Sequence, residues 1–503
     1  MASHETNLKV REPLLEEVVG NLQAGANWVQ QRDLPDVAGW GDLAAAPELV
    51  HDRLLSRLRE ERCPSPATSY PLPKPGSNEV RRMAWLNPYD ELYYRIVVGR
   101  LSSYMNSKLA PDVFSYRLQN DHPAWRIQDT NYAFNLRKER GKELLSKPTC
   151  KALGTGDVRN YFPSLSPEII LRCLIEEIDA ANDILVILDF LGQLLEVGAP
   201  PGLPMGPEAS GLIGNFLLIG VDLAVDRHTL GHVRFMDDSW FFLESEENWS
   251  EVKDIYSSAV NKLELDVNEA KMKLYYKHLG EAFNVMEEDL ITYVTSEYTG
   301  YFAPERAAEE IRDQIQSADP QWHIIRFFLG MLRSRRNPLA LKIVYDNPRL
   351  LWEEPRAVGR YLLSLTQDKE IRATIDRDWI VENATKRPEA RTLAGQMQIC
   401  RVASRLRLSK RHGKCIEEVA CSENMHGNSP LQSWMFKAWG ASEAFRPDRA
   451  VSYANHFGDF SVRRSLALTI HSDSSTSSKF ATWHRKLKSV EPDLEPMLVS
   501  LTS

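Results

Sequence analysis

Residues 232–243 read HVRFMDDSWFFL and place two adjacent acids, Asp237 and Asp238, between two apolar runs. Apolar residues on both sides of a short polar step are typical of a strand, a tight turn and a second strand. A carboxylate without a partner in such a place is costly or shifts its pKa. A hairpin that presents both acids to divalent cations removes this cost, although an ordinary surface turn would also accept the pair.

A third acid, Asp157, ends a strand-like stretch about 80 residues before Asp237 and is followed by Tyr161 and Phe162. Taken singly, Asp157 is equally compatible with a helix cap or a turn. Phosphoryl transfer with two Mg²⁺ ions needs carboxylates that converge from separate strands, with the metals about 3.5–4 Å apart. Asp157, Asp237 and Asp238 together therefore predict a two-metal site.

Residues 202–207, which read GLPMGP, lie between Asp157 and Asp237 in the sequence. Gly202, Pro204 and Gly206 force an irregular backbone, which can approach a base pair or a triphosphate closely. A plain loop before a helix would have the same composition. The segment therefore gains its meaning from its place between the acids.

In this order and at these distances, three segments resemble motifs A, B and C of reverse transcriptases: DVRNYF (157–162), GLPMGPEAS (202–210) and FMDD (235–238). Further segments resemble the fingers region, the sequence that follows it, and motif D: YPLPKPG (70–76) with VRRMAWLNPYDELYYR (80–95), VFSYRL (113–118) and LELDVNEAKMKL (263–274). The resemblance covers about residues 65–280. It implies a right-hand polymerase domain with fingers and palm.

The resemblance also implies roles for individual residues. The metal ligands would be Asp157, Val158, Asp237 and Asp238, which would hold two Mg²⁺ ions, with Mn²⁺ as the other candidate. Lys271 would join the catalytic acids by protonating the leaving pyrophosphate; an exposed helix lysine is the alternative. The substrate-binding positions would be Lys74, Arg81, Arg82, Phe162, Pro204, Met205 and Gly206.

Two of these positions bear on the substrate. Phe162 matches the steric gate of the family, and a ring there rejects a ribose 2′-hydroxyl and favours dNTPs. Met205 departs from the family, which commonly has Gln at this place. Gln can hydrogen-bond to nucleotide and template, whereas Met offers only packing.

Along its 503 residues the chain is predicted to be α+β. We expect an N-terminal helical segment at 1–62, fingers and palm at 63–300, and an α-helical domain at 301–503 in place of the thumb. Within the palm, the alternation in LELDV (263–267) predicts a strand. Between 320 and 470, short apolar clusters cut by prolines favour HEAT-like stacked helix pairs. No clean repeat period is visible, so an irregular helical domain is the alternative.

Charge and cysteine content restrict the setting of the protein. No apolar run reaches the length of a membrane span, and the net charge of −8 argues against a large, permanently wrapped RNA. Six scattered cysteines fit a reducing cytoplasm. One group lies close in sequence but lacks the paired spacing of a zinc site, so ordinary helix residues are predicted there: Cys400, His412, Cys415, Cys421 and His426.

The helical tail narrows the resemblance. Retron enzymes carry an NAxxH and a VTG segment, of which YVTSEYTG (293–300) is only a loose echo, and group II intron enzymes have a basic thumb. The chain is most similar to bacterial abortive-infection (AbiK-like) and defence-associated "unknown group" reverse transcriptases. This implies a cytoplasmic bacterial enzyme of antiphage defence, forming a trimer or hexamer and making DNA from dNTPs.

Several alternatives stay open. Synthesis would be protein-primed and template-independent, or guided by a noncoding RNA. A retron-like or group II intron-like conventional reverse transcriptase is the second reading. The third is a non-catalytic helical-repeat scaffold with a relic polymerase domain, which would keep its biological effect when Asp237 and Asp238 are both replaced by Ala.

Overall fold

The structure is a computed structural model and describes residues 12–29, 39–74, 76, 79–178, 181–287, 303–425, 427–474 and 480–500. The chain forms two compact units, each assembled from several stretches. The first takes its residues from 1–25, 54–67 and 89–293, and the second from 26–53, 68–88 and 294–503. The segment at 293–300 that loosely resembles the retron VTG motif lies outside the described residues, as does His426.

The described elements up to residue 287 mix helices and strands. The helices are α1 Leu15–Val29, α2 Trp40–Ala44, α3 Pro47–Arg59, α4 Pro88–Lys108, α5 Thr130–Ser146, α6 Tyr161–Ser164, α7 Pro167–Glu177, α8 Ala181–Glu196, α9 Glu208–Leu217, α10 Ile219–Asp226, α11 Asn248–Lys262 and α12 Glu281–Glu287. The strands are β1 Thr68–Pro73, β2 Val80–Trp85, β3 Leu118–Asn120, β4 Arg126–Ile127, β5 Ala152–Asp157, β6 Gly231–Phe235, β7 Asp238–Leu243 and β8 Lys273–Tyr276.

A four-stranded antiparallel sheet with the order β6-β7-β5-β8 organises the first unit. β6 and β7 form the hairpin that the apolar–acid–apolar pattern predicts. One face of the sheet, with Leu153, Trp240 and Phe242, packs in a buried cluster with Leu144 of α5 and Ala282 of α12. The helices α5 and α12 thus cover this face.

The opposite face of the sheet packs on α11. The ring of Phe241 lies 5.1 Å from that of Tyr256 and 6.0 Å from that of Trp249. Two glycines make this approach possible, because a Cβ on Gly154 would stand 2.2 Å from the Trp249 ring and one on Gly156 2.9 Å from Phe241. The strand that ends at the first acid is therefore pressed directly onto a helix.

The strand predicted over residues 263–267 is wrong. Residues 263 and 264 form the turn that ends α11, and Glu264 has a φ of 59°. Only Val267 pairs with the sheet region, through an isolated bridge to Val158. The apolar–polar alternation arises because Leu265 is buried while its neighbours Glu264 and Asp266 are exposed.

In the second unit, the hairpin of β1 and β2 packs on the helical residues, with β1 against α20. The described helices after residue 302 are α13 Pro304–Gln316, α14 Trp322–Ser334, α15 Leu341–Asp346, α16 Arg349–Glu353, α17 Pro355–Leu365, α18 Lys369–Thr374, α19 Arg377–Thr385, α20 Leu393–Ala403, α21 Lys410–Ala420, α22 Ser429–Gly440, α23 Pro447–His456, α24 Phe460–Ser474, α25 Phe480–Val490 and α26 Glu495–Ser500. The described residues of this stretch contain no strand. The sequence analysis assigns residues 68–85 to the fingers and palm at 63–300, whereas in the structure their hairpin belongs to the second unit. The predicted division between residues 300 and 301 stays a prediction.

These helices pack mainly on near neighbours in the sequence. A row runs from α13 to α14, α17, α20, α22 and α24, each packed on the next. Several helices begin with a proline in the first turn, where the missing N–H costs nothing. The mixture of helices and small sheets agrees with the predicted α+β class, and the row is the packing expected of stacked helix pairs.

One stretch of the described residues, Glu208–Asp226, is long and apolar enough to cross a membrane by length and composition. It comprises α9 and α10, and 83% of its most apolar window is buried inside the protein. Such burial is typical of the core helices of a globular unit.

Candidate active site

The sheet brings the three acids together at one edge. Asp157 ends β5 and Asp238 begins β7, and the two are direct partners in the antiparallel register. Asp237 occupies the tight turn between β6 and β7, next to Met236, whose φ is 55°. Three carboxylates from two neighbouring strands and a turn therefore share one corner of the first unit.

Asp157 is the best held of the three. Its side chain is 8% exposed, and both of its oxygens accept hydrogen bonds: Oδ2 from Asn268 Nδ2 at 2.9 Å and Oδ1 from Lys271 Nζ at 2.7 Å. Lys271 lies on the short 3-10 turn Glu269–Lys271 that precedes β8. Although burial lowers it, the hydrogen bond and charge of Asp157 bring the pKa of Lys271 above its usual value. Lys271 is therefore a cation beside Asp157.

Asp238 is paired with an arginine that sequence reasoning missed. Arg137, on α5, is 2% exposed, and its Nη1 donates to Asp238 Oδ2 at 3.0 Å. Its guanidinium also lies 3.8 Å from the centre of the Trp240 ring. The only sequence signal was a basic residue among the apolar positions Ala133, Leu144 and Leu145 of a helix. As the structure stands, Asp238 belongs to an ion pair with a buried partner.

Asp237 carries the electrostatic cost of the corner. Burial first, and then the carboxylates of Asp157 and Asp238, raise the pKa of Asp237 to about 6. Its own backbone N–H and the ammonium of Lys271 act in the opposite direction. A carboxylate with this balance gains strongly from a nearby cation.

In metal-free protein at pH 7, Asp237→Asn is expected to raise the free energy of unfolding by roughly 1 kcal/mol, because the amide keeps the shape and removes the disfavoured charge. The folded pKa of about 6 lies above the ordinary aspartate pKa of 3.8. The unsubstituted protein therefore loses stability as the pH rises between these values, and the variant does not. Thermal unfolding in EDTA at pH 5 and 7.5 measures this. Equal differences between the two proteins at both pH values would contradict it.

The donor chemistry of the corner fits magnesium in part. Carboxylates are the ligands that Mg²⁺ prefers, and the raised pKa of Asp237 marks uncompensated negative charge. Among the described residues, no three His, Cys, Asp or Glu side chains stand as a ready metal cluster. In the structure, Lys271 pairs with Asp157 and Arg137 pairs with Asp238.

A buried network holds the acid-bearing turn in place. All five N–H groups of Arg234 are used: two bind Asp222 at 2.6 and 2.7 Å, two bind Asn215 at 2.8 and 3.1 Å, and one of the Nη1 contacts reaches Met236 O at 2.9 Å. The Met236 N–H donates to Ser115 Oγ at 2.7 Å. The turn is thus fixed to α9, α10 and the segment around residue 115.

The loop at 202–207 contacts the segment after Asp157. Leu203 N donates to Phe162 O at 3.0 Å. Gly202 has a φ of 79°, and a Cβ there would stand 2.1 Å from Phe162 O, so the position requires glycine. Of the other predicted substrate positions in the loop, Pro204 is buried, and Met205 and Gly206 are half-buried. The loop and the steric-gate candidate Phe162 form one local structure.

The remaining predicted residues lie elsewhere. Lys74, Arg81 and Arg82 belong to the hairpin of the second unit, where Lys74 pairs with Glu79 and both arginines are exposed. Their role at a triphosphate stays a prediction. In the former zinc candidate, Cys400 is buried and His412 binds Asp378, and the described residues there form no metal cluster.

Comparison with known proteins gives little beyond this geometry. No family model and no curated protein matches the chain. Among solved structures, the chain is similar to the telomerase of Candida albicans, solved with a TWJ fragment of telomeric RNA, at 8% identity and a TM-score of 0.28. The match covers 85% of this chain and 62% of the telomerase chain. The chain thus spans less than two thirds of that neighbour, and at this TM-score the likeness carries no functional conclusion.

Proposed function

We propose that the chain is a nucleotidyltransferase, a DNA polymerase of the reverse-transcriptase type. The observation that carries this proposal is the register that pairs Asp157 with Asp238 and places Asp237 in the adjoining turn. Two Mg²⁺ or Mn²⁺ ions, held by Asp157, Asp237 and the main chain of Val158, would supply charge stabilisation at the attacking and leaving oxygens. Asp238 would contribute to the field of the site from its ion pair.

The chain's own residues would do the rest. Lys271, a charged donor beside Asp157, would give a proton to the leaving pyrophosphate once it releases that carboxylate. The Gly202 loop holds the backbone of Phe162, and the Phe162 ring packs against that of Tyr161 with 5.7 Å between the ring centres. A ring held in this way can select a sugar by shape.

Phe162→Ala is expected to raise the use of ribonucleotides relative to deoxyribonucleotides by at least about tenfold, since the space for a 2′-hydroxyl opens. Single-nucleotide incorporation with labelled dNTPs and NTPs measures the ratio. Phe162→Tyr, which keeps the ring, is the matched control and should discriminate like the unsubstituted enzyme. Unchanged discrimination in Phe162→Ala would remove Phe162 from the gate role.

The test of the proposed function uses purified protein, Mg²⁺ and one labelled dNTP at a time, with and without added RNA. Products are separated on a denaturing gel before and after protease and nuclease. Label that moves with protease means protein-primed synthesis without an external template, and label that requires RNA means templated or RNA-guided synthesis. No incorporation under either condition would overturn the proposal.

We also propose the cellular setting that the family resemblance implies: antiphage defence in the bacterial cytoplasm by a trimer or hexamer. The helical row of the second unit supports this setting only in being the kind of domain that those enzymes carry. The alternative, a retron-like or a group II intron-like conventional reverse transcriptase, would require that label is incorporated only when RNA is added.

A second candidate function has one observation in its favour. Lys271 and Arg137 already neutralise Asp157 and Asp238, so these acids have a structural use without metal. This is what a helical scaffold with a relic polymerase domain would retain. Replacement of both Asp237 and Asp238 by Ala separates the two, because a scaffold keeps its protective effect in cells and a polymerase loses it.

A further inference from the structure

Helix α9 begins with a buried acid. Glu208 is its first residue, directly after the loop at 202–207, and its side chain is 4% exposed. All ten residues of α9 are buried. A charge in such a place is strongly disfavoured unless a partner compensates it. The start of the helix therefore depends on the group that Glu208 meets.

That partner is Arg95 of α4, which is also 4% exposed and whose Nη1 forms an ion pair with Glu208 Oε2. The guanidinium carbon of Arg95 lies 3.8 Å from the centre of the Trp125 ring, and Trp125 Nε1 donates to Arg95 O at 3.1 Å. Gly99 allows this packing, because a Cβ there would stand 2.5 Å from Trp125 Nε1. The surroundings of the arginine thus hold it in one geometry.

A second contact joins the same two helices. Tyr94, the residue before Arg95, shares a hydrogen bond with Ser210, with 3.1 Å between the two hydroxyl oxygens. The Tyr94 ring stacks on Phe190 of α8, with 5.5 Å between the ring centres. Adjacent residues of α4 therefore fix the first turn of α9 at two points.

Helix α9 in turn contacts both parts of Phe162, the steric-gate candidate. The start of α9 follows the loop in which Leu203 N donates to Phe162 O at 3.0 Å. Further along α9, a Cβ on Gly214 would stand 3.6 Å from the Phe162 ring, and Gly214 O accepts from Tyr161 Oη at 2.5 Å. A displacement of α9 would therefore disturb its contacts with both the backbone and the ring of Phe162.

We propose that Arg95 and Glu208 are positioning residues that set the place of α9 and, through this helix, of Phe162. A buried ion pair is often no more stabilising than two well-packed apolar residues, but its charges require one direction and one distance. The pair therefore acts on the selection between dNTPs and NTPs more than on the stability of the fold. Its effect on selection rests on the proposed function, whereas its effect on the loop and on Phe162 does not.

The first test measures hydrogen–deuterium exchange of the full-length protein in EDTA, which requires no activity. Arg95→Met combined with Glu208→Met removes both charges and keeps apolar volume, so the variant should remain folded. Peptides that span 199–207 and 158–166 are expected to exchange at least about tenfold faster, while peptides from the sheet keep their normal rate. Unchanged exchange in these two stretches, or an equal increase throughout the first unit, would overturn the positioning role.

Glu208→Gln is a second, milder variant, because the amide keeps the shape of the side chain and removes only its charge. It leaves Arg95 without its counter-charge, so the same two stretches should exchange faster. Normal exchange in this variant would show that the charge of Glu208 is dispensable and would also contradict the proposal.

The matched control is Arg57→Met combined with Asp90→Met. This ion pair is equally buried, at 3% and 1% exposure, and Asp90 also belongs to α4, but Arg57 comes from α3 and not from α9. The control should leave the exchange of 199–207 and 158–166 unchanged. Faster exchange there in the control would mean that any lost ion pair of α4 loosens the loop, which would remove the specific role of Arg95 and Glu208.

Single-nucleotide incorporation then measures the consequence for the substrate. The variant with Met at both Arg95 and Glu208 is expected to lose roughly tenfold of its discrimination between dNTPs and NTPs, mainly because the KM for NTPs falls. A lower kcat for both kinds of nucleotide with unchanged discrimination would overturn the effect on selection. The two proposals fail separately: an unsubstituted protein that incorporates nothing contradicts the polymerase, and its exchange still tests the ion pair.

Discussion

Asp157→Asn is expected to lower the rate of dNTP incorporation by several orders of magnitude while the protein remains folded. The amide can still accept from Asn268 and keeps the length of the side chain, but it loses the charge that a divalent cation requires. The Lys271 partner is 62% exposed, so screening limits the effect of the lost pair on stability. Single-turnover incorporation at saturating Mg²⁺ measures the rate, and EDTA should abolish it in the unsubstituted enzyme.

The matched control is Asp254→Asn, which removes an exposed acid from α11. This helix packs on the face of the sheet opposite to the one covered by α5. The control variant should incorporate dNTPs at the rate of the unsubstituted enzyme. An Asp157→Asn enzyme with more than about a tenth of the normal rate would contradict the two-metal mechanism, because the mechanism requires this carboxylate as a metal ligand.

Arg234→Met is expected to destabilise the protein by about 3–5 kcal/mol, since it leaves Asp222 buried and unpaired. Asp222 is 2% exposed, and two of the five Arg234 contacts end on its carboxylate. Chemical denaturation followed by circular dichroism measures the change. A loss below about 1 kcal/mol would mean that water or another cation replaces the arginine.

Combining Arg234→Met with Asp222→Leu separates stability from function. Replacing both members of a buried ion pair by apolar residues is often neutral, so most of the lost stability should return. The contact from Arg234 to Met236 O does not return, and the turn that carries Asp237 loses an anchor. We therefore expect a folded double variant with strongly reduced incorporation. Full activity in that variant would show that Ser115 alone holds the turn.

The hairpin that carries Asp237 and Asp238 could be predicted because a local pattern determines it. An apolar–acid–apolar run specifies the hairpin of β6 and β7. The antiparallel register of β7 with β5 then places Asp238, the first residue of β7, opposite Asp157, the last residue of β5. The Gly202 loop was predicted for the same reason, since a positive φ and a close backbone contact demand glycine. The hairpin turn and the irregular loop are properties of a few consecutive residues, whereas the pairing of β5 with β7 joins residues far apart in the sequence.

The partners of the acids could not be predicted in this way. Arg137 lies 101 residues from Asp238, and Asp222 and Asn215 meet Arg234 only after two helices pack on the sheet. Alternation misled the prediction at 263–267, where one buried leucine in a turn imitates a strand. Nor does any local signal show that the hairpin at 68–85 packs on helices more than 300 residues later.

The second unit joins early and late stretches of the chain, and this affects how it can be synthesised. Arg53 pairs with Glu495 at 2.6 Å, 442 residues further along the chain. At ordinary translation speeds the early stretches wait roughly 20–90 s for their partners to leave the ribosome. Synthesis that stops before residue 495 would therefore leave this unit unfinished and its apolar surfaces uncovered. Chaperones and proteases of the cell would then act on the incomplete unit.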